Sequence, residues 1–105
     1  MIVRIWAGQV TADRIEEFCA HLAGQVLPQL GRTDGCLGGE LLRSVAEGSL
    51  HRVLVVSRWR DEEALRGYAG PMWRIRPVWS EGEPHYLMHP PEVTHFMPIA
   101  APATL

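Results

Sequence analysis

Leu50-His51-Arg52-Val53-Leu54-Val55-Val56-Ser57-Arg58-Trp59, followed by Arg60-Asp61-Glu62-Glu63-Ala64-Leu65, is the stretch on which the reading of this chain turns. Four consecutive β-branched or aliphatic residues, Val53 to Val56, make the strongest strand in the sequence. Side chains alternate across a strand, so Val53, Val55 and Trp59 go to one face and Leu54 and Val56 to the other. Both faces are therefore apolar. Helices on one side of an antiparallel sheet cover only one face, and the second is ordinarily polar and wet. An apolar second face in a short chain asks for a partner, and a second copy of the same sheet is the simplest, since most soluble oligomers are symmetric. Asp61 then offers an N-cap for a short helix from about Glu62 to Tyr68, which Gly70-Pro71 ends.

Upstream, Met1–Ala7 carries Ile2, Val3, Ile5 and Trp6 and reads as a strand. Thr11 is the expected N-cap of the next helix, with Asp13 in its first turn. Ile15, Phe18, Leu22, Val26 and Leu30 recur at three- and four-residue steps and form an amphipathic stripe. Pro28 is expected to kink or end this helix near Leu27. Gly31–Gly35 is a turn. Cys36–Ser44 reads as a second strand with a bulge at Gly38-Gly39, and 46–49 as a hairpin turn. Downstream, 71–91 reads as irregular and Glu92–Ile99 as a closing strand. The order β-α-β-β-α-loop-β is the ferredoxin-like βαββαβ arrangement, an α+β fold on one antiparallel sheet. The 105 residues make one domain, 1–105, with 100–105 as a frayed tail.

A chain 47% hydrophobic and 21% charged is globular in class. A net charge of −2 without basic runs gives nothing to hold a nucleic-acid backbone. No apolar run reaches membrane-spanning length, and residues 1–10 do not resemble a signal peptide. Cys19 and Cys36 form no CxxC pair and read as thiols of a reducing cytosol, so a cytoplasmic location is expected. No Gly-rich dinucleotide motif occurs. His85 and His89 have metal-like spacing only on a helix, which Pro84, Pro90 and Pro91 disfavour. The expectation is no metal and no cofactor.

Several residues invite a chemical reading beside a structural one. His95 alternates with Val93 and Met97; it is either a hydrogen-bonded core residue or a general base titrating near neutrality. Tyr68 is placed to share a cavity with Trp59 and to orient a substrate hydroxyl. Trp59, Trp6 and Trp73 could form an aromatic wall, or simply pack. Arg74 and Arg76 could attract an anionic group from a loop over the pocket. Arg4 is either half of an ion pair or a polar group inside the cavity.

Four stretches together resemble the antibiotic biosynthesis monooxygenase superfamily: Ile2–Trp6 running into a helix, Gly35-Cys36-Leu37-Gly38-Gly39, Val55–Leu65 followed by Tyr68-Ala69-Gly70, and Glu92–Phe96. The resemblance implies a dimeric α+β barrel with a pocket between helices and sheet in each subunit. It also implies a cofactor-independent monooxygenase acting on a small aromatic or polyketide-like substrate, with His95 and Tyr68 as catalytic residues. Trp59, Trp6, Arg4, Trp73 and Arg74 would then line the substrate site. An isomerase or cyclase using the same pocket is an alternative, as is a non-catalytic dimer binding small ligands. Haem is the outlying cofactor possibility. Against it, the family's Asn position falls near Trp6 or Ala7, its second-helix Trp position on Tyr68, and its axial-His position near Trp79.

Overall fold

Ten-residue strands at the middle of the sheet set the architecture, and they are described here from a computed structural model covering residues 1–45, 48–78 and 85–103. Strand β1 (Ile2–Thr11) pairs along its whole length with β3 (Leu50–Trp59) and, over Val3–Ala7, with β4 (Glu92–Phe96). Strand β2 (Cys36–Arg43) completes the sheet on the far side of β3. All pairings are antiparallel, in the order β2-β3-β1-β4, which is the ferredoxin-like topology expected above. The β2–β3 register shifts between Cys36 and Gly38, so the bulge lies where the glycines allow it.

Between β1 and β2 runs one helical rod in three parts: α1 (Ile15–His21), a π-helical turn (Leu22–Val26) and α2 (Leu27–Gly31). Two expectations are corrected here. Thr11 does not cap the rod. It is the last residue of β1, and the helix begins after a turn closed by the Arg14 amide donating to the Thr11 carbonyl at 3.0 Å. Of the two outcomes expected at Pro28, a kink or an end, the end does not occur. Proline cannot supply the amide that an α-register would require at that position. One turn earlier the chain widens, so that the Leu27 amide reaches the Leu22 carbonyl, five residues back. The widened turn absorbs the missing donor, and Leu30 still reaches the core. The second crossover carries α3 (Glu62–Ala69), capped as expected: the Ala64 amide donates to the Asp61 carboxylate at 2.8 Å.

Rod and α3 cover the same face of the sheet. Trp6, Val10, Phe18, Leu22, Val53, Trp59 and Leu65 form the buried core between them. Gly8 is required in this layer, because a Cβ there would meet the Trp6 indole at 2.8 Å and Leu87 at 2.7 Å. The closing strand is shorter than expected, stopping at Phe96; Met97 and Ile99 lie beyond it, exposed. Residues 71–78 and 85–91 are more ordered than expected. A hydrogen-bonded turn occupies 72–76, and Leu87 bridges back to Val10. Residues 46–47 of the expected hairpin turn, with Trp79, Pro84 and residues 104–105, lie outside the described residues. Among the described residues no helix is long and apolar enough to cross a membrane.

Candidate functional site

Register across the three central strands places one polar row under the helices. Arg4 of β1 stands opposite Ser57 of β3 on one side and His95 of β4 on the other. The next row is apolar: Val55, Trp6 and Val93. All of these project toward the helical layer, where Arg4 is buried with Ser57 beside it.

Arg4 is 3% exposed. Its guanidinium donates to the Trp73 carbonyl at 2.8 Å and the Arg76 carbonyl at 2.6 Å, and lies 3.0 Å from His95 Nε2. It also lies 5.9 Å from the centre of the Tyr68 ring, a cation–π distance. Among the described residues these hydrogen-bond partners include no carboxylate. Burial pulls the Arg4 pKa below its ordinary value, and Tyr68 opposes that shift. A guanidinium stays charged at neutral pH even so. Among the described residues the row therefore holds a desolvated cation met by dipoles and a ring face.

A cavity opens directly beside it. Arg4, Trp6, Val55 and Ser57 form its sheet wall; Leu22 and Val26 of the π turn, with Gln29 and Leu30, form the rod wall; Tyr68 and Val78 close the end. Its solvent-accessible space is about 50 Å³, enough for one or two waters. An aromatic ligand therefore requires the wall to give. The sheet side is tied by three strand pairings, whereas the rod rests on it through side chains. The π turn, where the rod's own ladder is already widened, is the part of the wall best able to move. Trp6 adds a further donor: its indole Nε1 is buried with no hydrogen-bond partner among the described residues.

The sequence-derived candidates divide. Arg4, Trp6 and Tyr68 meet in the cavity. Trp59 stands behind it, fully buried, stacked on Tyr68 at 4.7 Å and donating from Nε1 to Ser57 Oγ at 2.9 Å. It fixes two cavity residues without lining the space. Trp73 packs edge-on to His95 at 4.8 Å and contributes its carbonyl to Arg4. Arg74 points outward, over the Trp73 ring and toward Glu62 at 3.8 Å. Arg76 turns back to the Ala69 carbonyl at 3.2 Å. His95 lies on the far side of Arg4 from the cavity. Because a guanidinium only donates, Nε2 must be the acceptor, which puts the proton of the neutral ring on Nδ1. Burial first, then the Arg4 and Arg74 cations, push the His95 pKa below its ordinary value. Ser57, Gln29 and Val78 were not singled out by the sequence. Period-two alternation from Trp59 would have flagged Ser57; Gln29 and Val78 sit on elements whose placement no local pattern reveals.

The described residues do not fit haem. None of the cavity residues is a histidine, and His95 Nε2 is already held by Arg4. His85 and His89 are exposed, His85 giving its carbonyl to Arg14 and His89 lining a separate polar cleft with Arg52 and Glu92. No group of three potential metal ligands occurs among the described residues.

Solved structures of known proteins share this fold. A Streptomyces coelicolor monooxygenase from the gene ActVA-Orf6, solved with nanaomycin D, aligns over 99% of this chain and 92% of its own with a TM-score of 0.70 at 19% identity. The haem-degrading MhuD of Mycobacterium tuberculosis, solved with two haems in its active site, aligns over 98% and 100% with a TM-score of 0.69 at 21% identity. A Bordetella bronchiseptica protein described under the antibiotic biosynthesis monooxygenases aligns over 94% and 97% with a TM-score of 0.67 at 27% identity. Among curated proteins no sequence match to the chain is found. The sequence pattern defining one family matches residues 1–70, taking in β1, the rod, β2, β3 and α3. With fold, topology and sequence in agreement, the chain belongs to the antibiotic biosynthesis monooxygenase family.

Proposed function

We propose that this protein is a cofactor-independent monooxygenase for a small aromatic substrate carrying an acidic hydroxyl, bound as its anion beside Arg4. The observation that carries the reading is the buried guanidinium with no carboxylate partner among the described residues, beside a cavity into which an indole donor without a partner among those residues also faces. A desolvated cation costs several kcal/mol unless a counter-charge compensates it. A phenolate or enolate oxygen supplies that charge and lowers the apparent pKa of the substrate hydroxyl, so that its proton passes to water. Tyr68, between Trp59 and Arg4, orients the ring and its hydroxyl. The bound anion is the reductant. It passes one electron to dioxygen, the radical pair joins at a ring carbon, and the hydroperoxide so formed loses water to give the quinone. One oxygen atom enters the product and the other leaves as water, with both electrons drawn from the substrate.

The same reading includes a homodimer, with a cytoplasmic site of action. Val3, Ile5, Phe96, Met97 and Ile99 border a broad apolar groove on the uncovered face of the sheet, and Phe96, Met97 and Ile99 are exposed. A second copy of that face would cover it.

The test is a matched pair of ligands. 2-Hydroxy-1,4-naphthoquinone is an anionic enol at neutral pH and its 2-methoxy ether is neutral. Binding of the hydroxy compound at least roughly tenfold tighter, with the preference lost in Arg4→Leu, supports the proposal. Equal binding of the two ligands would overturn the role of Arg4. Turnover of 1-naphthol to 1,4-naphthoquinone beyond the uncatalysed rate, with one dioxygen consumed per quinone, one atom of labelled dioxygen in the product and no hydrogen peroxide released, tests the oxygenase step.

A further inference from the structure

The position of His95 suits a task besides that of a candidate base. Nε2 lies 3.0 Å from Arg4 Nη1, and the same Nη1 donates to the Trp73 carbonyl. Nη2 donates to the Arg76 carbonyl. Arg4 thus ties β4 to two carbonyls of the 72–76 turn, in which the Ile75 and Arg76 amides donate to the Met72 carbonyl while the Trp73 amide donates back to that of Gly70. Two residues further on, Val78 enters the cavity wall. Trp73, buried to 6%, rests edge-on against the imidazole.

We infer that His95 is a positioning residue: as a neutral acceptor it fixes the Arg4 guanidinium on the cavity wall and staples the 72–76 turn, and its protonation loosens both. This rests on the reading of the cavity given above and extends it. Among the described residues, the charged groups acting on His95 are Arg4 from β1 and Arg74 from the turn, both cations. Tyr68 of α3 faces Arg4 rather than His95, and Glu92, three residues back on β4, lies on the opposite face of the strand. A protonated His95 loses its lone pair at Nε2 and sets a third positive charge beside the first two. The contact then turns from attractive to repulsive. Arg4 leaves its three-way setting, and the turn bearing Val78 loses its anchor.

The experiment uses the ligand-free protein. Amide hydrogen exchange at Trp73, Ile75 and Arg76 is measured near pH 8 and pH 5 in the wild type and in His95→Gln, after correction for intrinsic exchange chemistry. Glutamine keeps an acceptor but does not titrate. The wild type is expected to lose roughly fivefold or more of its protection at the acid pH, with the β1–β3 amides unchanged, while the glutamine variant holds its protection at both. Equal protection of the wild type at both pH values, or equal loss in the variant, overturns the inference. Imidazole NMR of the wild type gives a second check: a neutral ring protonated at Nδ1 with a midpoint below the free value supports it, and a midpoint at or above that value overturns it. Binding of 2-hydroxy-1,4-naphthoquinone, which stays anionic between about pH 5 and pH 8, separates the two readings. If the exchange result holds while Arg4→Leu binds as well as the wild type, the cavity reading falls and the His95 role stands. If Arg4 is needed but the exchange result fails, the reverse holds.

Discussion

The two faces of the sheet are built from the same strands and put to opposite uses. On the covered face, Val53, Val55, Trp59, Trp6 and Val10 are buried by the rod and α3, and one cation is buried with them. On the other face Ile5 and Leu54 are half-buried, while Leu42 and Phe96 are 44% and 54% exposed. The face closed within the chain buries the core, and the open face exposes apolar side chains that the proposed second copy would cover. Period-two alternation makes this separation possible, since a substitution on one face leaves the side chains of the other in place.

Substitutions sharpen or break that contrast. The largest effect is expected on the covered face. Trp59→Ala removes a fully buried indole, its stack on Tyr68 and its bond to Ser57, and should cost about 3–5 kcal/mol in urea unfolding. A loss below about 1 kcal/mol would mean that Trp59 is not the keystone of that layer. On the open face, Ile5→Glu should divide the assembly with a smaller loss of chain stability. Light scattering should fall from about twice 11.8 kDa to that single mass. A wild type that is already monomeric breaks the comparison. Asp61→Ala removes the one side-chain cap of α3 and should cost about 1 kcal/mol, read as a lower melting temperature without change of mass. The smallest effect concerns pH. The folded-state pKa of His95 is depressed, so the unfolded chain binds its proton more readily. Its contribution to stability is complete above about pH 6.5 and is lost as pH falls through the folded value. His95→Gln should flatten that part of the profile; an unchanged acid limb would assign it to other groups.

Much of the covered face was legible in the sequence. The stripe from Ile15 to Leu30, the run from Val53 to Val56 and the Asp61 cap are local patterns, and local patterns fix element types. The apolar second face of β3 was legible for the same reason. The rod's passage through Pro28 was not, because a π turn is a compromise between a missing amide and a core residue still to be buried beyond it. The relation of His95 to Arg4 was not legible either. Ninety-one positions separate them, and only the register of β4 on β1 makes them neighbours. Alternation put His95 on the same face of its strand as Val93, yet it could not reveal that Arg4 stands between the imidazole and the cavity.

The central claim is that buried Arg4 receives an anionic oxygen from a small aromatic molecule. A crystal structure of the protein with 2-hydroxy-1,4-naphthoquinone tests it most directly. The ring is expected between the Leu22–Val26 turn and Tyr68, with the enolate oxygen within about 3 Å of the Arg4 guanidinium and the rod displaced outward to admit it. A ligand seated elsewhere, or one whose oxygen faces solvent while Arg4 keeps only its present partners, would contradict it.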